Sequence, residues 1–269
     1  LENLRLLLAI AAALNLEVHQ MDVDNAFLNA DLSEEIYVQQ PEGFEDPDHP
    51  DYVCKLRKSL YGLKQAPLEW NRTIDTYLRK HDFQPTRLDP CIYVRACNDQ
   101  TIFVAIYVDD CTIIAPSGQI NDIKALLHQG FRMKDLGEAK SVLGLEVLRD
   151  RTSGATYLRQ AGKIHELVHD FGLAKAKPIY TPVELNLQLP KLERTDDNDA
   201  KLPYRSAVGR LSYIALATRP DIAFAVNALS RHVNAFGRQH WKAAKRVIRY
   251  LKTTLELAIR YDRSSSDNA

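Results

Sequence analysis

The chain has no apolar run long enough to cross a bilayer. Its longest, residues 4–14, falls well short of the roughly 20 residues a membrane helix needs. It follows Glu2, which argues against a signal peptide, so it is expected to be a buried helix of a chain cut from something longer. Cysteine is sparse. Cys54, Cys91, Cys97 and Cys111 form no CxxC pair, and no histidine stands at zinc-ligand spacing from them. That excludes a disulfide framework or a zinc ribbon and leaves free thiols in a reducing compartment. Internal repeats and low-complexity tracts are missing, which excludes a solenoid. Net charge is absent too: 35 Lys+Arg balance 35 Asp+Glu, so bulk charge does not announce a polyanion binder.

The balance hides an asymmetry. Residues 1–60 hold 4 Lys+Arg against 12 Asp+Glu, a net of −8, while residues 201–260 hold 12 against 2, a net of +10. A basic C-terminal part suits a polyanionic partner, or forms ordinary solvated helix faces. With 269 residues and 45% hydrophobic content, the chain can bury one large core or two modest ones.

Apolar periodicity predicts a helix over 3–15, a strand over 17–23, a turn or short helix over 25–32 and a strand over 35–39. Pro and Asp make 41–51 a loop. Pro67 suits a helix start, and Trp70, Ile74, Tyr77 and Leu78 mark that helix's apolar face. Runs 91–96 and 101–108 read as strands split by a turn at Asn98-Asp99. The second run ends in Tyr107-Val108-Asp109-Asp110 and resumes over 111–115, a hairpin with two carboxylates at its bend. A helix over 119–129 with Gly130 as its stop, a hairpin over 141–160 turning at 152–154, and a helix over 163–171 follow. Four prolines punctuate 174–203, a linker or long loop. The rest reads as helices over 204–217, 220–233 and 238–255. Strands and helices to residue 160, then helices only, predict an α+β fold with a helical C-terminal part.

Adjacent aspartates at a hairpin bend repel each other unless a proton or a cation intervenes. Asp22, at the end of another strand, supplies a third carboxylate. Three hard oxygen ligands on neighbouring strand ends suit Mg2+, which binds carboxylates together with substrate phosphates. Two such ions can drive an in-line phosphoryl displacement. Asp-Asp alone is usually a polar turn, but a Tyr-x-Asp-Asp tetrad between apolar strands is more specific.

Further segments extend the pattern. Met21-Asp22-Val23 with Ala26-Phe27-Leu28, Glu34-Glu35-Ile36-Tyr37-Val38, and Gln40-Pro41-Glu42-Gly43-Phe44 come first. Then come Ser59-Leu60-Tyr61-Gly62-Leu63-Lys64-Gln65-Ala66-Pro67 with Trp70, the Tyr107–Asp110 tetrad, Met133-Lys134-Asp135-Leu136-Gly137 and Leu143-Gly144. Near the end stand Thr218-Arg219-Pro220-Asp221-Ile222, Leu229-Ser230-Arg231 and 240–246. In this order, over residues 1–262, they resemble the reverse transcriptase of copia-type LTR retrotransposons. Ala30 and Leu68 depart from it, standing where the family commonly has Gly and Arg.

The resemblance implies a right-hand polymerase palm over 1–160 with partial fingers at about 28–64. A thumb would start at 161–173, 174–203 would link, 204–262 would form a helical thumb or connection, and 263–269 would lead towards ribonuclease H. Asp22, Asp109 and Asp110 would be the catalytic ligands of two Mg2+ ions, with Mn2+ as a substitute. Phe27 would be a steric gate against the ribose 2′-OH, with an ordinary core Phe as the plain alternative. Tyr61 and Gly62 would lie against the incoming deoxynucleoside triphosphate and templating base, with a simple turn as the alternative. Lys134 would approach the triphosphate, or be an exposed lysine. Independently of the resemblance, Trp241, Ala244, Ile248, Leu251 and Leu255 make an apolar stripe. Lys242, Lys245, Arg249 and Lys252 make a basic stripe beside it, fit to track a phosphate backbone or simply solvated.

The implied partners are an RNA or DNA template with its primer, and deoxynucleotides, with no membrane. In the full polyprotein, upstream fingers and integrase and downstream ribonuclease H would accompany the chain. The setting would be intracellular, in a cytoplasmic particle or the nucleus, not secreted. Two other readings remain open: an inactive or domesticated fragment that binds nucleic acid without synthesis, and a two-metal nuclease. A steric gate and the 59–67 motif have no use in the latter.

Overall fold

A computed structural model describes residues 1–97, 100–197 and 199–263. The expected turn at Asn98-Asp99 and the tail beyond residue 263 lie outside the described residues. Helices and antiparallel sheets are mixed along the chain, which separates into two compact units: Asn15–Ala139, and Leu1–Leu14 with Lys140–Ala269. The break falls at residue 139, and the first helix, α1 (Glu2–Ala13), belongs with the later residues.

The first unit is built on β1 (Glu17–Val23), β2 (Tyr37–Gln39), β3 (Val53–Lys55), α2 (Ala66–Lys80), β4 (Gln84–Pro85), β5 (Ile92–Cys97), β6 (Gln100–Tyr107), β7 (Asp110–Ala115), α3 (Ile120–Gly130) and β8 (Met133–Glu138). Six strands form one antiparallel sheet in the order β4-β5-β6-β7-β1-β8, while β2 and β3 make a separate ribbon. Ile113, Ile114 and Ala115 on β7 are all fully buried, as expected of a strand inside a sheet. The α2 stripe packs as its spacing predicts, with Trp70, Ile74 and Leu78 buried beside Met21, Val104 and Phe131.

Two local expectations change. The bend of the carboxylate hairpin is Val108-Asp109, and Asp110 already pairs as the first residue of β7. Gly130 is the last residue of α3 and precedes an extended Phe131. Its lack of a side chain serves packing instead: a Cβ there would lie 2.4 Å from the Tyr77 ring.

The second unit holds α1 with β9 (Ser141–Val142), β10 (Leu145–Arg149), β11 (Thr156–Arg159), α4 (Ala161–Asp170), α5 (Tyr204–Ala217), α6 (Ala223–Ser230), α7 (Arg238–Thr253) and β12 (Ile259–Tyr261). β12 contradicts the expectation of helices only after residue 160. It is short, and it pairs with β11, a strand about a hundred residues earlier, so no local signal announces it. The expected helix over 220–233 is a 3-10 turn, Pro220–Ile222, followed by α6.

Between Asp170 and Tyr204 there is no regular element among the described residues, as the prolines predict. In the Thr218-Arg219-Pro220-Asp221 segment, Thr218 and Arg219 are buried while Pro220 and Asp221 are exposed. The Arg219 guanidinium, 1% exposed, donates to both Asp221 oxygens at 2.9 and 2.7 Å and to Thr254 O at 3.0 Å. The Tyr250 hydroxyl adds a bond to Asp221 at 2.8 Å.

Candidate active site

Antiparallel pairing sets the site. β1 lies between β7 and β8, and its register places Asp22 opposite Asp110 on one side and opposite Lys134 on the other. Tyr107 pairs with Asp110, which leaves Val108 and Asp109 as a two-residue turn beside Asp22. Val108 has φ 57° and Asp109 does not, the pattern of a type II′ hairpin turn. A β-branched residue in that region costs about 1–3 kcal/mol, so the tip needs support. The Trp70 indole Nε1 donates to Val108 O at 2.7 Å, and Val23 N donates to Asp109 O at 2.9 Å.

Asp22 feels the charge of the other two carboxylates. Burial first, then the charges of Asp109, Asp110 and Asp24, push the Asp22 pKa up, against the pull of Lys134. A cation would relieve that repulsion, and three aspartates are the donors Mg2+ prefers. Among the described residues, no three or more His, Cys, Asp or Glu side chains converge as a metal cage. Two of the three carboxylates are turned onto protein donors. The Tyr61 hydroxyl donates to Asp109 Oδ2 at 2.8 Å, and Gln20 Nε2 donates to Asp110 Oδ1 at 3.2 Å. The donor set therefore fits a divalent cation in its chemistry and backbone placement, with side-chain rotation needed to close around it.

Gln20 is a contributor that sequence reasoning missed. It lies two residues before Asp22, hence on the same face of β1, and diagonal to Asp110. That period-two spacing was the available signal.

Phe27 is 7% exposed, in a 3-10 turn over Ala26–Asn29, and joins the hydrophobic core of its unit. The Tyr61 ring covers it, centroid to centroid 4.3 Å. Tyr61 as a whole is half exposed. Withdrawal of its hydroxyl from water, then the hydrogen bond to Asp109 and the charges of Asp109 and Asp22, push its pKa up to about 12. Gly62 has φ 98°, and a Cβ there would meet nothing within 4 Å, so the backbone conformation is what calls for glycine. Lys134 is exposed on β8, its charge directed at Asp22.

The basic stripe of α7 divides. Arg249 gives Nε and Nη2 to Lys177 O at 3.0 and 2.8 Å, and Lys252 Nζ bonds Ala174 O and, at 3.0 Å, Ala176 O. Those two side chains tie down the loop that precedes α5. Lys245 lies over the Trp241 ring at 5.7 Å, and Lys242 is exposed beside a cavity of about 470 Å³ that also touches Gln239 and Arg246. That cavity is lined by none of the three aspartates. No helix among the described residues is long and apolar enough to cross a membrane, and all four cysteines are free.

The site is thus a group of carboxylates on adjacent antiparallel strands, one of them at a hairpin tip. Residues 1–185 match the family model described as reverse transcriptase (RNA-dependent DNA polymerase), and the chain belongs to that family. It is 43% identical over 259 residues to the retrovirus-related Pol polyprotein from transposon TNT 1-94 of Nicotiana tabacum, covering 94% of this chain and 20% of that one. It is 38% identical to the Pol polyprotein from transposon RE2 of Arabidopsis thaliana, over 94% and 17% of the two chains. A putative transposon Ty5-1 protein of Saccharomyces cerevisiae is 39% identical over 251 residues, covering 93% of this chain and 80% of that one. The chain thus spans a fifth or less of the plant polyproteins it matches. These transposon relatives bear out the expected likeness to copia-type elements.

Proposed function

We propose that this chain carries the RNA-directed DNA polymerase centre of a copia-type retrotransposon Pol polyprotein, adding deoxynucleotides to a primer 3′-OH on an RNA or DNA template. The observation that carries the reading is the cross-strand pairing of Asp22 with Asp110, with Asp109 beside them on a supported hairpin tip. Asp22 and Asp109 would hold the divalent cation, and Asp110 would assist its placement. When bound, Mg2+ or Mn2+ supplies the positive charge that acidifies the 3′-OH and neutralises the triphosphate.

The chain's own residues do the rest. Phe27 closes the space a ribose 2′-OH would need. Tyr61, its ring tilted against Phe27, would leave Asp109 and lie along the incoming nucleotide, with Gly62 letting the backbone approach it. Lys134, already facing Asp22, would hold triphosphate charge. The unit Asn15–Ala139 would serve as palm, with fingers at about 28–64, and the later helices as thumb or connection. Lys242 and Lys245 would face the phosphate backbone.

The test is extension of a labelled primer on an RNA template with Mg2+ and deoxynucleotides, using the chain with and without its polyprotein neighbours. Template-dependent extension supports the reading. Release of nucleotides from the strand would mean a nuclease. Salt-sensitive binding with no extension in either format would mean a nucleic-acid-binding remnant.

A further inference from the structure

The hairpin tip raises a question its own residues do not answer. A two-residue turn of this kind normally takes Gly at its first central position, yet Val108 stands there at φ 57°. The alternative turn with the same strand pairing differs by a turn-over of the central peptide, Val108 C=O with Asp109 N–H. Such a turn-over would change the direction in which Asp109 leaves the backbone. Among the described residues, one side chain bonds to that peptide. Trp70, on α2, is 3% exposed, and its ring packs edge-on against Phe131 at 5.2 Å. Its only polar atom donates to Val108 O at 2.7 Å. The indole is locked by packing, and its bond is available to only one orientation of the peptide.

We propose that Trp70 is a positioning residue for the catalytic hairpin: its indole N–H holds the Val108 carbonyl, and so selects the strained turn that aims Asp109 beside Asp22. The activity arm of this proposal rests on the polymerase reading; the structural arm does not. Val23 N on Asp109 O pins the following carbonyl, so the tip is held on both sides of Asp109's Cα. The indole is therefore a reporter of the tip as well as its support.

The experiment combines indole N–H NMR with single-nucleotide incorporation. The chain has two tryptophans, so a Trp241→Phe background leaves the Trp70 indole as a single resonance. That proton should be protected from solvent exchange in the wild-type fold and should shift when Mg2+ is titrated in. Fast exchange, or indifference to Mg2+, overturns the proposal without Trp70 itself being changed. Trp70→Phe keeps a ring against Phe131 and removes only the donor. It should lower kcat about tenfold or more while leaving KM for primer–template unchanged, because the loss is in carboxylate placement and not in binding. Wild-type kcat in Trp70→Phe overturns it. If the wild-type chain extends no primer while its Trp70 indole is protected and responds to Mg2+, the polymerase reading fails and the positioning role stands.

Discussion

At Phe27 two readings of one residue meet. The sequence left it as either a steric gate or a core ring, and the structure shows a core ring covered by the Tyr61 ring. Phe27→Ala should therefore have two effects. Ribonucleotide incorporation relative to deoxynucleotide should rise in competitive extension, because the proposed gate is the ring that would meet the 2′-OH. Thermal or urea unfolding should show a loss of about 3–5 kcal/mol, the usual cost of emptying a buried aromatic site. An unchanged sugar preference in a folded variant would leave only the core role. Asp221 carries a second prediction at this scale. Its pKa is lowered: burial pushes up, and the bonds from Arg219 and Tyr250 outweigh it. A carboxylate held below its unfolded value contributes stability above about pH 3.8, lost as pH falls through the folded pKa. Asp221→Asn should cost about 3 kcal/mol at pH 7, since it strips a buried guanidinium of its partner. In an acid titration of stability the gap to wild type should close below about pH 4.

Among the elements, the ones with a local signal were legible and the ones made by distant pairing were not. The strand over 17–23 and the helix over 204–217 have the bounds their apolar spacing predicts. β12 and β3 are three residues each, and only their partner strands make them strands. Gly130 shows the same limit. A glycine at a helix end reads as a stop signal, while its actual reason is a tyrosine ring about fifty residues away in the chain. Gly130→Ala should destabilise the first unit by about 1–3 kcal/mol through overpacking against Tyr77. Tyr77→Leu in the same chain should recover part of that loss in denaturant unfolding. Additive losses would place the defect elsewhere.

On the scale of the whole molecule, the acidic front and basic back have different fates. The acidic part contributes one carboxylate of the site, Asp22, while Asp109 and Asp110 come from the Tyr-x-Asp-Asp tetrad farther along, readable because such a tetrad between strands has few other uses. The directions of Asp109 and Asp110 were not readable, because they depend on Tyr61 and Gln20, which lie far from them in the chain. The basic stripe read as one surface, but half of it ties down the 174–177 loop. Lys242→Ala with Lys245→Ala should reduce the slope of log K against log salt for primer–template binding by about 1–2 and leave the melting temperature alone. Arg249→Ala with Lys252→Ala should do the reverse, lowering the melting temperature with little change in slope. Equal salt slopes for the two pairs would return the stripe to a single surface.

The central claim is that Asp22, Asp109 and Asp110 act together on a phosphoryl group, and the most direct measurement is the rate of single-nucleotide addition to a bound primer by Asp109→Asn beside wild type. Asparagine keeps the size of the side chain and the hairpin, and removes the charge. The account predicts a loss of about a thousandfold or more in the incorporation rate, several kcal/mol of transition-state stabilisation, with primer–template affinity retained. An Asp109→Asn chain that adds nucleotides within a few-fold of the wild-type rate would contradict it.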